Sequence, residues 1–163
     1  MLKETESSTY ERMGMMSKAK WGANLTSEQI EDLAKYLYVA KLAKNSPIFV
    51  EGSKEAYMCL VVTGSVKISK EDSKKKEKII AEVGPGKTFG EMSIIDKWPR
   101  SASAIASEET TLLILTKDKF DQLLNENPRL GNRFLMDLSQ LLSSRLRLTD
   151  WMLVEYLYQE KAD

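Results

Sequence analysis

The chain has 163 residues, which suits one domain with a single hydrophobic core and without disulfides or metals. Lysine and arginine together number 24, as do aspartate and glutamate, so no net field favours nucleic acid or anionic lipid as a partner. Histidine, the commonest general base and metal ligand, is absent from the sequence, which argues against an enzyme and against a metal site.

The single cysteine, Cys59, lies in an apolar run and is predicted to be a small core residue rather than a nucleophile. One cysteine allows no disulfide within the chain, which fits a reducing compartment. No stretch has the apolar length of a signal peptide or of a membrane-spanning helix. We therefore expect a soluble, cytoplasmic protein.

Residues 1–24 show little periodicity and are predicted to form an N-terminal arm, either mobile or folded as a loosely docked short helix. Residues 25–30 give a clearer signal of secondary structure. Thr26 and Gln29 form a capping box, and Leu25 and Ile30 form the matching hydrophobic staple, so a helix is predicted to begin here.

From residue 38 the sequence consists of short apolar runs separated by turn residues, the pattern of an all-β roll, sandwich or barrel. The lysine-rich segment 70–76 carries interleaved acids and no aromatic residue, so it is predicted to be a solvated hairpin tip rather than a nucleic-acid site. The predicted strands are 38–42, 48–51, 58–63, 65–69, 78–83, 101–106 and 112–116.

Helical spacing returns at Lys117, and Asn127 and Pro128 are predicted to be the cap and first residue of a last, long helix. Its apolar stripe is wide enough to cover the strands and still leave a second surface for a partner helix. A core role and a dimer seam both remain open, because apolar width alone does not separate them. The candidates for the second surface are Leu135, Leu142, Leu146 and Trp151.

The most informative stretch is 84–106, GPGKTFGEMSIIDKWPRSASAIA. Gly90 lets the backbone approach a ligand closely, and residues 91–95 are predicted to form one helical turn. The planar fork of Arg100 suits the two free oxygens of a phosphodiester, and the short Ser101 can reach the same group. Glu91 accepts hydrogen bonds when ionised, so it suits a ribose hydroxyl rather than the phosphate.

Two other interpretations of this stretch are weaker. Residues 84–88 end like a triphosphate P-loop, but the motif needs a glycine where Ala81 stands, and strands rather than a strand and a long helix surround it. Glu91 and Arg100 could instead form an ion pair that stabilises a turn. That alternative leaves the glycine and the small residues beside them unexplained.

The sequences FGEMSII and PRSASAIA resemble the phosphate-binding cassette of the cyclic-nucleotide-binding domain family, and the resemblance extends over roughly residues 33–146. It implies a mainly β (α+β) fold, a jelly-roll-like β-roll of about eight strands with flanking N-terminal helices and a long C-terminal helix. The implied organisation is an arm at 1–24, a nucleotide-binding roll at 25–127 and a lid or dimerisation helix at 128–163.

The resemblance also implies roles for individual residues. Glu91 would accept the ribose 2′-OH, Gly90 would supply a backbone contact, and Arg100 with Ser101 would clamp the phosphate. Met92 and Ser93 stand where a leucine or isoleucine and then an alanine are usual, and both are expected mainly to pack the turn. The other implied ligand-binding positions are Met92 and Ala102 in the cassette, Ile68, Ile80, Ala81 and Val83 as an apolar wall, and Arg145 or Thr149 against the base.

The function that follows is a cyclic-nucleotide sensor that binds cAMP or cGMP without altering it and acts through its last helix on an effector protein. Ser101 leaves adenine and guanine both open. No metal, nucleic acid or membrane is expected as a partner. Three other functions are less well supported: a transcription regulator, for which too few residues follow the last helix; an enzyme on a similar roll; and a scaffold that has lost its ligand.

Overall fold

Two four-stranded antiparallel sheets form the centre of the computed structural model, which describes residues 2–19 and 21–159. The first sheet has the order β1-β8-β3-β6 and the second the order β2-β7-β4-β5, so the predicted jelly-roll of eight strands is confirmed. The strands are β1 (Tyr38–Leu42), β2 (Pro47–Phe49), β3 (Tyr57–Thr63), β4 (Val66–Glu71), β5 (Glu77–Val83), β6 (Thr88–Phe89), β7 (Ser103–Ala106) and β8 (Thr110–Thr116).

The chain divides into two compact units, Met1–Leu123 and Leu124–Asp163. The first contains both sheets, and the second contains the whole of the long C-terminal helix as described. The described helices are α1 (Thr9–Lys18), α2 (Ser27–Ala34), α3 (Glu91–Asp96), α4 (Lys117–Glu126) and α5 (Pro128–Gln159). Among these described helices, none combines the length and the apolar character needed to cross a membrane.

The predicted strands differ from the observed ones at two places that matter for the site. The two-residue β6 was not predicted, because two residues are too short to show an alternating pattern. The strand predicted at 101–106 begins only at Ser103, where β7 pairs with β4. Ser101 and Ala102 therefore belong to the connection before the strand.

The N-terminal arm forms the short helix α1, and this helix is anchored rather than loosely docked. Ser8 and Glu11 make a capping box at its start, and Met16 is fully buried. The Arg12 side chain donates hydrogen bonds to the carbonyls of Ala34 (2.8 Å) and Ser7 (2.6 Å), which ties α1 to the end of α2. The predicted capping box at the start of α2 is confirmed.

Inward-facing side chains of both sheets form one core, and every one of the strands β1–β8 contributes to it. Cys59 is a fully buried member of it, as predicted, and burial raises the pKa of its thiol, so it is not an activated nucleophile. The buried members are Ala40, Ile48, Phe49, Tyr57, Cys59, Val61, Val66, Val83, Phe89, Ala104, Leu112 and Ile114.

The long helix α5 begins as predicted, with the Asn127 side chain accepting a hydrogen bond from the backbone N–H of Leu130. Leu130, Phe134 and Leu138 recur at a spacing of four residues and are buried. Each large apolar side chain from Leu146 to Tyr158 is about half exposed or more. The buried apolar residues of α5 thus lie in its N-terminal part, beside the exposed Met136, and the large apolar residues from Leu146 onward are exposed.

We predict that Gly64→Ala destabilises the roll by about 2–4 kcal/mol. Gly64 has a φ of +86°, and a Cβ atom there would lie 2.5 Å from both the Glu109 carbonyl oxygen and the Thr110 Oγ. Gly14→Ala in α1 is the control, because a Cβ there meets no atom within 4 Å, and we expect it to stabilise the protein slightly. Urea unfolding of both variants checks this, and equal stabilities would contradict it.

Candidate functional site

The segment 90–102, called the cassette from here on, connects the first sheet to the second. It leaves β6 at the edge of one sheet, forms the six-residue α3, and enters β7 in the interior of the other sheet. The predicted helical turn in this segment is confirmed. This path brings the cassette to the end of the roll where β2 and β3 also contribute side chains.

Arg100, the residue predicted to clamp phosphate, points into the roll and is only 4% exposed. Its Cζ lies 4.0 Å from the ring centroid of Phe49 and 4.4 Å from that of Tyr57, so the guanidinium is held by cation–π contacts. Its backbone is bonded to a neighbouring turn, because Gly52 N–H donates to the Arg100 carbonyl and Arg100 N–H donates to the Ser53 carbonyl, both at 2.8 Å.

The three nitrogens of the Arg100 guanidinium differ in their hydrogen bonding. Nη1 donates to the Gly90 carbonyl at 3.0 Å and to Ser93 Oγ at 2.6 Å. Nε and Nη2 are buried and have no hydrogen-bond partner among the described residues. These two nitrogens form the side-on edge of the guanidinium, which is the edge that binds phosphate or carboxylate oxygens in a bidentate manner.

Burial lowers the pKa of the Arg100 guanidinium, because a cation loses hydration in this environment. A buried donor without a partner costs free energy, and a buried charge costs more. An ion pair that used the side-on edge would supply acceptors to Nε and Nη2, and neither atom has one. The edge is thus suited to an anion with two adjacent oxygens.

Position 90 has to be a glycine for two reasons, the backbone conformation of the turn and the space occupied by the Arg100 side chain. It has a φ of +76° at the start of α3, and a Cβ atom there would lie 2.8 Å from Arg100 Nη1 and 3.0 Å from the Tyr57 carbonyl oxygen. Any side chain at this position would push the guanidinium out of its place. The sequence interpretation of Gly90 had considered only a close approach to a ligand.

The other cassette residues occupy different environments. Glu91 is the first residue of α3 and is 2% exposed, so its carboxylate lies inside the protein near the arginine end of the roll. Ala102 is also buried, whereas Ser101 and Met92 are exposed. The structure therefore brings Gly90, Glu91 and Arg100 together and leaves Met92 on the surface.

Three of the four predicted wall residues share one face of the β4–β5 hairpin. Ile68 is paired with Ala81, and Val83 lies two residues further along the same strand. Ile80 differs, because the register shifts there and leaves it as the unpaired residue of a bulge with 55% exposure. Ile68 is also paired with Ala104 of β7, two residues beyond the cassette.

Arg145 and Thr149, the alternatives for a base contact, lie one turn apart on α5, in the other compact unit. The Thr149 hydroxyl donates a hydrogen bond to the Arg145 carbonyl at 2.9 Å. This bond engages the hydroxyl within the helix. The choice between the two residues stays open.

Sequence reasoning missed three residues that contact Arg100: Phe49, Tyr57 and Ser93. The two aromatic residues precede the arginine by more than 40 positions, so no local pattern connects them with it. Ser93 was expected mainly to pack the turn; it is buried there, and its hydroxyl in addition binds the arginine. One signal was available, because a serine three residues after Gly90 can bond back to that carbonyl, as it does here.

Comparison with known proteins agrees with this geometry. The family described as cyclic nucleotide-binding domain matches residues 39–127. A cyclic nucleotide-binding domain from Methylobacillus flagellatus superposes with a TM-score of 0.75 at 36% identity, covering 85% of this chain and 78% of that one. The cyclic AMP receptor protein of Thermus thermophilus is 33% identical over 77% of this chain and 56% of its own length.

A CRP-like cAMP-activated global transcriptional regulator of Mycobacterium tuberculosis is 26% identical over 80% of this chain and 57% of its own length. The chain thus spans a little over half the length of the relatives it matches. The roll, the cassette and the family match together define a regulatory cyclic-nucleotide-binding module. The chain belongs to the cyclic nucleotide-binding domain family.

No group of three or more cysteine, aspartate or glutamate residues converges as a metal site within residues 2–19 and 21–159.

We predict that Arg100→Met leaves the free energy of unfolding unchanged or raises it by up to about 2 kcal/mol, because it removes a buried, partly unsatisfied cation. Thr110→Val is the control: the Thr110 hydroxyl is buried and bonds the Glu108 carbonyl at 2.9 Å, so its loss should destabilise the protein. Urea unfolding compares the two. A larger loss for Arg100→Met than for the control would mean that the arginine is structural.

Proposed function

We propose that this chain is a sensor domain that binds cAMP or cGMP in the cassette without altering it. The observation that carries the proposal is the side-on edge of Arg100, which is buried and without hydrogen-bond partners. A cyclic phosphodiester has two free oxygens that fit this edge, and its negative charge would offset the cost of burying the guanidinium. The names of the relatives favour cAMP of the two nucleotides.

The remaining roles are proposed from the family resemblance. Glu91 accepts a hydrogen bond from the ribose 2′-OH, and Ser101 with Ala102 completes the phosphate site. Ile68, Ala81 and Val83 form the apolar wall, since they share one face of the hairpin. Arg145 or Thr149 contacts the base.

The proposed mechanism is a shift in population between two states of the C-terminal helix. The nucleotide can bias this equilibrium only by the difference between its affinities for the two states. The output is read by an effector protein in the cytoplasm, and neither nucleic acid, a membrane nor a catalysed reaction takes part. The absence of histidine from the sequence supports a binding role over a catalytic one.

Two alternatives differ in what they predict. A relative of the transcription regulators without a DNA-binding module would bind the nucleotide equally well, and would act through a separate DNA-binding partner. A scaffold with the same fold would bind no nucleotide. The buried, unpartnered edge of Arg100 argues against the scaffold, because a silent cassette would gain stability by losing the charge.

We predict that the protein binds cAMP or cGMP at one site per chain and that Arg100→Ala weakens binding at least about tenfold, since a hydrogen bond to a charged group contributes about 1.5–3 kcal/mol. Isothermal titration with each nucleotide measures this. Lys41→Ala, which removes an exposed cation from β1, is the control and should bind as the unchanged protein does. Unaltered binding by Arg100→Ala would refute the cassette assignment.

We also propose that α5 forms the seam of a homodimer. Leu135, Leu142, Leu146 and Leu153 follow one another at spacings of seven, four and seven residues, which is the seam of a two-stranded coiled coil. Leu146 is 63% exposed and Leu153 is 55% exposed within one chain. Trp151 falls outside this spacing.

We predict that Leu146→Glu converts the protein to a monomer, because a charge in the seam would be buried without a partner. Light scattering on a sizing column measures the molar mass. Leu148→Glu is the matched control, since it changes an equally apolar, exposed residue on the opposite side of the helix and should leave the dimer intact. A monomeric unchanged protein, or equal disruption by both variants, would exclude this seam.

A further inference from the structure

Ser93 lies in α3, within the cassette, and its hydroxyl has two partners. It donates to the Gly90 carbonyl at 3.0 Å, which is the arrangement of a helical serine bonding back by three residues. It accepts from Arg100 Nη1 at 2.6 Å. The residue is 4% exposed, so water does not compete freely for either bond.

The direction of this hydroxyl is set by the first bond. A serine hydroxyl has one proton, and the Gly90 carbonyl can only accept, so the proton points to that carbonyl. The lone pairs of Oγ are then left for Arg100 Nη1. The same carbonyl also accepts from Nη1, so the three groups form a closed triangle.

Each contact of Arg100 restrains a different movement of the guanidinium. The rings of Phe49 and Tyr57, which are inclined to each other by 69°, have their centroids 4.0 and 4.4 Å from Cζ and hold the position of the cation. Cation–π attraction acts on the charge as a whole, so the two rings do not by themselves prevent rotation of the guanidinium within its plane. The bonds from Nη1 to Gly90 and Ser93 restrain that rotation.

We propose that Ser93 is a positioning residue for Arg100: its hydroxyl fixes the in-plane rotation of the guanidinium and so keeps Nε and Nη2 presented as a bidentate edge for the phosphate of the ligand. The inference rests on the proposed function for the identity of that ligand. An alanine, which is usual at this position in the family, has no hydroxyl and cannot make the bond. Ser93 would therefore contribute to the affinity for the ligand through Arg100.

Pre-organisation of Arg100 determines whether loss of the Ser93 hydroxyl weakens or strengthens ligand binding. The bonds to Nη1 leave the side-on edge free, so the ligand does not have to break them. A guanidinium that is already oriented loses less freedom on binding, and this raises affinity. Loss of the hydroxyl should thus weaken binding rather than strengthen it.

The experiment compares Ser93→Ala, Ser93→Thr and the control Thr110→Val by isothermal titration with cAMP and cGMP. We expect Ser93→Ala to weaken binding about three- to tenfold, which is part of the contribution of one charged hydrogen bond. Ser93→Thr keeps the hydroxyl and should restore most of the affinity. Thr110→Val removes a buried hydroxyl away from the arginine and should leave the affinity unchanged. Unchanged affinity in Ser93→Ala would overturn the proposal.

A second measurement does not need a ligand. Rotation about the Nε–Cζ bond of Arg100 exchanges Nη1 with Nη2 and has to break the bond from Nη1 to Ser93. Proton–nitrogen NMR spectra of the guanidinium groups show whether this rotation is slow and so report on that bond, and Arg100→Lys assigns the signals. Separate Nη signals should be seen in the unchanged protein and should merge in Ser93→Ala. If the unchanged protein binds neither nucleotide, the proposed function fails, and these spectra alone decide whether Ser93 orients the arginine. Identical spectra in both proteins would overturn the inference.

Discussion

A single buried cation determines how the cassette end of the roll is built. Taking a guanidinium out of water is costly, and the roll offsets this with two aromatic rings, a backbone carbonyl and a serine hydroxyl. These partners satisfy only one of the terminal nitrogens. The side-on edge stays without a partner among the described residues, so we expect Arg100 to add little or nothing to the stability of the protein.

The fold explains how such distant residues reach one charge. Phe49 ends β2, Tyr57 begins β3, and the cassette crosses between the sheets to which these strands belong. The Tyr57 hydroxyl donates to the Ile48 carbonyl at 2.6 Å, which fixes its ring and links the two strands. Gly90 then has to lack a side chain, because the guanidinium occupies the space beside it. The jelly-roll connectivity is therefore a requirement of the site as well as of the core.

Much of the fold could be predicted from local signals. The capping box at Thr26 and the asparagine cap of α5 are interactions within one turn, so four residues of sequence contain them completely. The capping box of α1 was equally local. The helix itself was not clearly predicted, because a helix with one buried side chain, Met16, has only a weak apolar stripe. Two-residue β6 exists only through its pairing with β3, which no local pattern encodes.

Part of the site could likewise be predicted from local sequence, and part of it could not. Gly90, Glu91 and Arg100 lie within eleven residues, and the chemistry of phosphate recognition connects them in the sequence. Phe49 and Tyr57 look like ordinary core aromatics, because the same inward strand positions serve the core and the arginine. The apolar residues of α5 pose a related difficulty: leucine at helical spacing suits a core and a dimer seam alike. Only their exposure within one chain separates the buried set that ends at Leu138 from the exposed set that begins at Leu146.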